Sequence, residues 1–203
     1  AMPTIVICFF CRAYLARLLF GKAAPPVALI FGYLTVAIFF RIMYSILSRY
    51  FYAQKDTRTP LFVSIFAIGL NIFLAFNLAR PDAYGIAGLA MAQSLVAMSE
   101  VLILFTIMLW RDHRLLNMEF WGGVGRILSV TGFSVLAAFI MISIFPLNLT
   151  DTGIIVLGAK LGSIALVTFL VHLGVSLLFD LQEARPVIQK TKELILRPIK
   201  VPF

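Results

Sequence analysis

Four side chains lie where they are costly to place. Arg41, Glu100, Lys160 and His172 each interrupt a long apolar run. An ionised group at mid-bilayer costs about 2.5–3.5 kcal/mol on insertion scales, so it turns toward a neighbouring helix or water rather than lipid. Arg41 shares a helical face with Ser45, Ser48 and Tyr52, at spacings of four, seven and eleven. Gln93 and Glu100 stand seven apart on a later run, as do Ser64 and Asn71 on the run between. Three successive runs therefore each carry a polar stripe. Arg41, Ser45, Ser48, Asn71, Gln93 and Glu100 become candidates for the wall of a polar cavity. Their chemistry is non-covalent: a guanidinium for anions, a carboxylate that can hold it, and hydroxyls and amides for hydrogen bonds. The competing reading is that Arg41 and Glu100 serve only as a structural bridge. Lys160 is close enough to the end of its run to snorkel, and His172 is expected to be a hydrogen-bonded core residue rather than a proton carrier.

Covalent chemistry finds no foothold. Cys8 and Cys11 form a C-x-x-C, but with no further Cys they cannot close a zinc site, and they read as small buried hydrophobes. There is no Gly-rich phosphate loop, no H-E-x-x-H and no nucleophile constellation, so neither a catalytic residue nor a cofactor is assigned. Gly158 and Gly162, and Gly88 with Ala92, read as small pairs for close helix packing.

The elements that must position these groups follow from composition. Of 203 residues, 62% are hydrophobic and 13% charged, against about 25% charged in a soluble domain. The mean hydropathy of +1.02 cannot be hidden in a water-soluble core, which excludes disordered, collagenous, disulfide-rich and soluble enzyme classes. A transmembrane helix needs about 20 apolar residues. That ruler marks six spans: Pro3–Phe20, Pro26–Leu47, Leu61–Leu78, Gly85–Trp110, Val124–Phe145 and Gly153–Phe179. The fold class is an all-α polytopic bundle. Arg12 and Arg17 interrupt the first span, and Ala1 before Met2 suggests a cut piece.

Loop charge orients the bundle. Arg49, Lys55 and Arg58, then Arg111, Arg114 and Arg126, then Arg185, Lys190, Lys192, Arg197 and Lys200 fall on one side, against Lys22, Arg80 and Arg17 on the other. The positive-inside bias places both ends in the cytoplasm. Trp110 and Trp121, with Tyr50 and Tyr52, would anchor at headgroup level. The net charge of +8 then points to anionic phospholipids rather than nucleic acid. Residues 180–203 read as a basic cytoplasmic tail, either lying on the membrane surface or an ordinary juxtamembrane tail that follows the positive-inside bias.

The stretch Arg49-Tyr50-Phe51-Tyr52-Ala53-Gln54-Lys55-Asp56-Thr57-Arg58-Thr59-Pro60 resembles the signature loop of the MurJ (MviN) family. These are lipid II flippases of the multidrug/oligosaccharidyl-lipid/polysaccharide exporter superfamily. Leu18-Leu19-Phe20-Gly21 resembles the end of the family's ninth helix, and Tyr84-Gly85-Ile86-Ala87-Gly88-Leu89-Ala90 the opening of its twelfth. The resemblance implies that the chain holds helices nine to fourteen of a fourteen-helix, two-lobe transporter. Residues 1–110 would give four helices of the second lobe, 111–179 the terminal pair that grips a polyprenyl tail, and 180–203 the tail. It further implies a bacterial inner-membrane protein that works by alternating access on lipid II or a related polyprenyl-linked glycan. Its partner would be the missing N-terminal lobe, and coupling would be to an ion gradient or the membrane potential. Another glycan exporter, or a non-transporting scaffold or truncated product, are the alternatives.

Within the motif, Tyr52, Asp56, Thr57, Arg58, Thr59 and Pro60 are the family positions. Asp56 and Thr59 can cap the following helix, Thr59 being read as the N-cap before a first-turn Pro60, and Arg58 can sit among phosphates. Two departures stand out. The family's anion-binding arginines and carboxylates lie mainly in the first lobe and eighth helix. Asn71 matches the asparagine of a sodium site that some members have, but its carboxylate, one turn on, is replaced by Ala75.

Overall fold

Long apolar runs bounded by Gly, Pro and Asp can satisfy their backbone in hydrocarbon only as helices. The computed structural model describes residues 2–21, 24–80, 82, 84–112, 118–147 and 153–179, and helices are the only regular elements among them. They are α1 (Met2–Phe10), α2 (Arg12–Phe20), α3 (Ala24–Ala53), α4 (Arg58–Leu78), α5 (Ile86–Arg111), α6 (Met118–Ile144) and α7 (Ile154–Leu178). Helices α3 to α7 are each long and apolar enough to cross a membrane. The 180–203 tail and its expected position on the membrane surface lie outside the described residues.

The sixth span is broken. Where the sequence suggests one helix over Pro3–Phe20, α1 and α2 meet at an angle of 62°. Cys11 sits at the break with φ −88° and ψ 7°, the bridge region of backbone space. Its N–H still reaches the Ile7 carbonyl at 2.8 Å, and its own carbonyl accepts from Leu15 at 2.9 Å, so little backbone bonding is lost. Tertiary contacts hold the bend. The Arg12 guanidinium lies 4.7 Å from the centre of the Phe9 ring. It also fills the space where a side chain on Gly32 would stand. The Tyr14 hydroxyl donates to the Phe145 carbonyl at 2.5 Å. Cys11 and Tyr14 pack with Ile164 of α7 in one buried cluster.

Helix α3 overruns its expected end at Leu47. With no breaker among Arg49 to Ala53, the helix continues, and the first half of the motif is helical rather than loop. Phe51 is fully buried, which fixes that extra turn against α4 and α5. Tyr50 is a correction too: its hydroxyl is buried without a hydrogen-bond partner, so it is no headgroup anchor. Tyr52, Trp110 and Trp121 are exposed as an anchor requires.

Helix α5 lies between α3 and α4. Leu47, Phe51, Val63, Val101, Leu104 and Met108 form their shared core. Because lipid is as apolar as leucine, such packing in membranes rests on close fit rather than water exclusion. Gly88 shows how close: a Cβ there would collide with the Leu78 carbonyl oxygen. On α4 only Pro60, Val63 and Ala67 are buried, while Phe62, Phe66, Phe73 and Phe76 face outward. Helices α6 and α7 pack as a pair, and the broken helix α1–α2 joins that pair to α3.

Candidate functional site

Arg41 is placed near the middle of α3 and Glu100 near the middle of α5. The packing of these two helices brings the side chains together, with Arg41 Nη1 3.8 Å from Glu100 Oε2. That distance is an ion-pair contact but lies beyond hydrogen-bond reach. The pair is asymmetric: the Arg41 side chain is 53% exposed and that of Glu100 6%. Glu100 Oε2 has no hydrogen-bond partner. A carboxylate thus sits inside the helix contact and holds a guanidinium whose outer side is open.

The remaining cavity candidates divide. Ser45 is exposed, one turn beyond Arg41. Ser48 is buried, and its hydroxyl is unpartnered. The stripe therefore runs along the margin of the α3–α5 contact rather than on an open surface. Gln93 and Asn71 are partly buried. Ser64 is partly buried, and its hydroxyl, 2.8 Å from that of Tyr44, ties α4 to α3. Ser94, buried on α5, places its hydroxyl 2.6 Å from the Tyr33 carbonyl of α3. Among the described residues no group of three or more His, Cys, Asp or Glu could hold a metal ion.

A second polar cluster forms at the ends of α3, α4 and α5. Lys55 takes a left-handed φ of 59°, which ends α3 and lets the Asp56 N–H reach back to the Phe51 carbonyl at 3.0 Å. Asp56 Oδ1 then accepts from the backbone N–H groups of Arg58 and Thr59, each at 3.1 Å, and Oδ2 accepts from the Thr59 hydroxyl at 2.7 Å. Asp56, not Thr59, is the capping side chain. The helix starts at Arg58, and Thr59 lies within its first turn because the carboxylate captures the hydroxyl. Pro60 is buried in that turn, whereas Thr57 and Arg58 are exposed.

Arg111, from the last turn of α5, closes the cluster. Its Nη2 is 2.6 Å from Asp56 Oδ2 and 3.3 Å from Thr59 Oγ1. Its guanidinium stands 5.5 Å from the centre of the Phe51 ring. Bonding to Thr59 first, and to Arg111 after it, pulls the Asp56 carboxyl from 3.8 down to about 2. Sequence reasoning took Arg111 only as loop charge. A signal was present in principle, since Arg111 ends a helix on the membrane side where the motif turns.

Outside α3–α5, His172 Nδ1 lies 2.8 Å from the hydroxyl of fully buried Ser134, joining α7 to α6. Lys160 donates to the Pro146 carbonyl at 3.1 Å, beyond the end of α6. Among the described residues Gly158 and Gly162 have no heavy atom within 4 Å of an added Cβ, so this G-x-x-x-G does not mediate packing there.

In comparison with known proteins, the family model described as lipid II flippase MurJ matches residues 3–160. No curated protein matches the chain.

Proposed function

Because the chain belongs to the MurJ lipid II flippase family, we propose that it forms one wall of the path by which lipid II crosses the bacterial cytoplasmic membrane. The observation that carries this reading is the mid-span pair of half-exposed Arg41 and buried Glu100. An arginine open to lipid at that depth costs several kcal/mol, so its free side is best supplied by water, an anionic ligand or a partner helix. In this reading the wall consists of Arg41 and Ser45 on α3 with Glu100 behind Arg41, and the partly buried Gln93 and Asn71 add polar groups on α5 and α4.

No bond is made or broken. The protein provides a polar route for a charged, sugar-bearing headgroup while the polyprenyl tail stays in hydrocarbon, and α6–α7 form the surface along which the tail moves. A second lobe opposite this wall and alternating access complete the cycle, with both ends of the chain in the cytoplasm and an ion gradient or the membrane potential as the energy source. Depletion of the protein in its host, followed by labelling of lipid II at the outer surface, tests the reading. Loss of surface label with accumulation inside is expected; normal surface label under full depletion contradicts it.

A further inference from the structure

We propose that Glu100 is a proton-binding site, and that its protonation releases Arg41 for an anionic ligand. Three observations converge on it. Glu100 is 5% exposed near the middle of α5. Its Oε2 makes no hydrogen bond. The nearest compensating charge, Arg41, is 3.8 Å away and faces outward. A buried carboxylate oxygen with no hydrogen bond and only a long ion-pair contact is a costly state of this group, and a proton on that oxygen removes the charge.

A proton fits better than a metal ion. A metal ion needs several ligands, and no ligand set for one surrounds the carboxylate among the described residues, whereas a proton needs only the one oxygen. The other groups facing the pair are few. Helix α3 contributes Arg41 and, at the next turn, Tyr44, whose hydroxyl is engaged with Ser64. Helix α4 carries no ionisable residue other than Arg58 at its start. Among the described residues Arg41 is therefore the charged group that stands against Glu100.

The step is a simple transfer. Hydronium on the open side of Arg41 gives up one proton, its O–H bond breaking to leave neutral water as a new O–H bond forms on Glu100 Oε2. The loss of the carboxylate charge breaks the ion pair. The guanidinium is then left with an unbalanced positive charge facing the path. An anionic group arriving there restores neutrality. By linkage, anion binding at Arg41 strengthens proton binding at Glu100, and the reverse. This exchange rests on the reading of the α3–α5 face as a lipid II path; the proton site itself does not.

Infrared titration of the purified full chain in lipid vesicles tests the site. A protonated-carboxyl band that appears as pH falls, disappears in Glu100→Gln and is larger at neutral pH in Arg41→Ala is the result expected. Absence of a band removable by Glu100→Gln at every pH overturns the proposal. If that variant does not fold, a band of unchanged size in Arg41→Ala overturns it instead. The transport reading is scored apart, by the depletion and surface-label experiment in the host. Lost surface label without the band defeats the proton site alone, whereas the band with normal surface label under full depletion supports the site and counts against the transport reading.

Discussion

At the scale of single residues, the chain spends its few charges in two places with different rules. Arg41 and Glu100 meet in the apolar interior, where one partner is buried and the other open. Asp56 and Arg111 meet at a helix end, where each also has hydrogen bonds to offer. The second cluster makes a graded prediction. The Asp56 carboxyl is held down first by Thr59 and only afterwards by Arg111. Thr59→Val should therefore raise its titration more than Arg111→Ala does, as read by carboxyl NMR; the reverse order would show that charge, not capping, governs the turn. Because the carboxyl is lowered in the folded state, its contribution is fully present above the ordinary value of 3.8 and is lost as pH falls through about 2. Protection of the Thr59 amide, corrected for intrinsic exchange, should decline only in that acidic window. Arg41 and Glu100 were legible in the sequence because an ion in an apolar run stands out. Arg111 was not, since a basic residue at the end of a span looks like any loop charge until α4 is folded beside it.

At the scale of elements, close approach and breaks are what the sequence only half reveals. The spans themselves follow from apolar run length, and α5, α6 and α7 end close to where the runs end. The bend at Cys11 has no Pro or Gly to announce it; it is set by Tyr14, Arg12 and Gly32 in contacts with α6 and α3 that no local pattern encodes. Likewise two small-residue pairs looked equivalent, yet only one is used. Gly88 abuts the backbone at the end of α4, whereas Gly158 and Gly162 meet nothing among the described residues. Gly88→Ala should destabilise the bundle by about 1–3 kcal/mol, the usual cost of overpacking against backbone that cannot yield. Gly162→Ala should leave the chain's own stability unchanged. Thermal unfolding in detergent separates the two, and equal midpoints for both variants would contradict the close α4–α5 contact.

At the scale of the whole molecule, α3–α5 and α6–α7 are two packed groups that meet through the broken helix α1–α2. That arrangement suits a transporter in which one group carries the polar wall and the other a lipid-facing surface. The central claim is that Arg41 and Ser45 face water at mid-membrane while the phenylalanine face of α4 does not. Cysteine substitution tests it most directly, with Arg41→Cys, Ser45→Cys and Phe73→Cys introduced singly and probed with a membrane-impermeant thiol reagent. The unsubstituted protein supplies the background from its two native cysteines. Arg41→Cys and Ser45→Cys are predicted to label well above that background and Phe73→Cys to stay at it. If Arg41→Cys is as inert as Phe73→Cys, the α3 face lies against lipid or protein, and the wall described here is not a path for a polar headgroup.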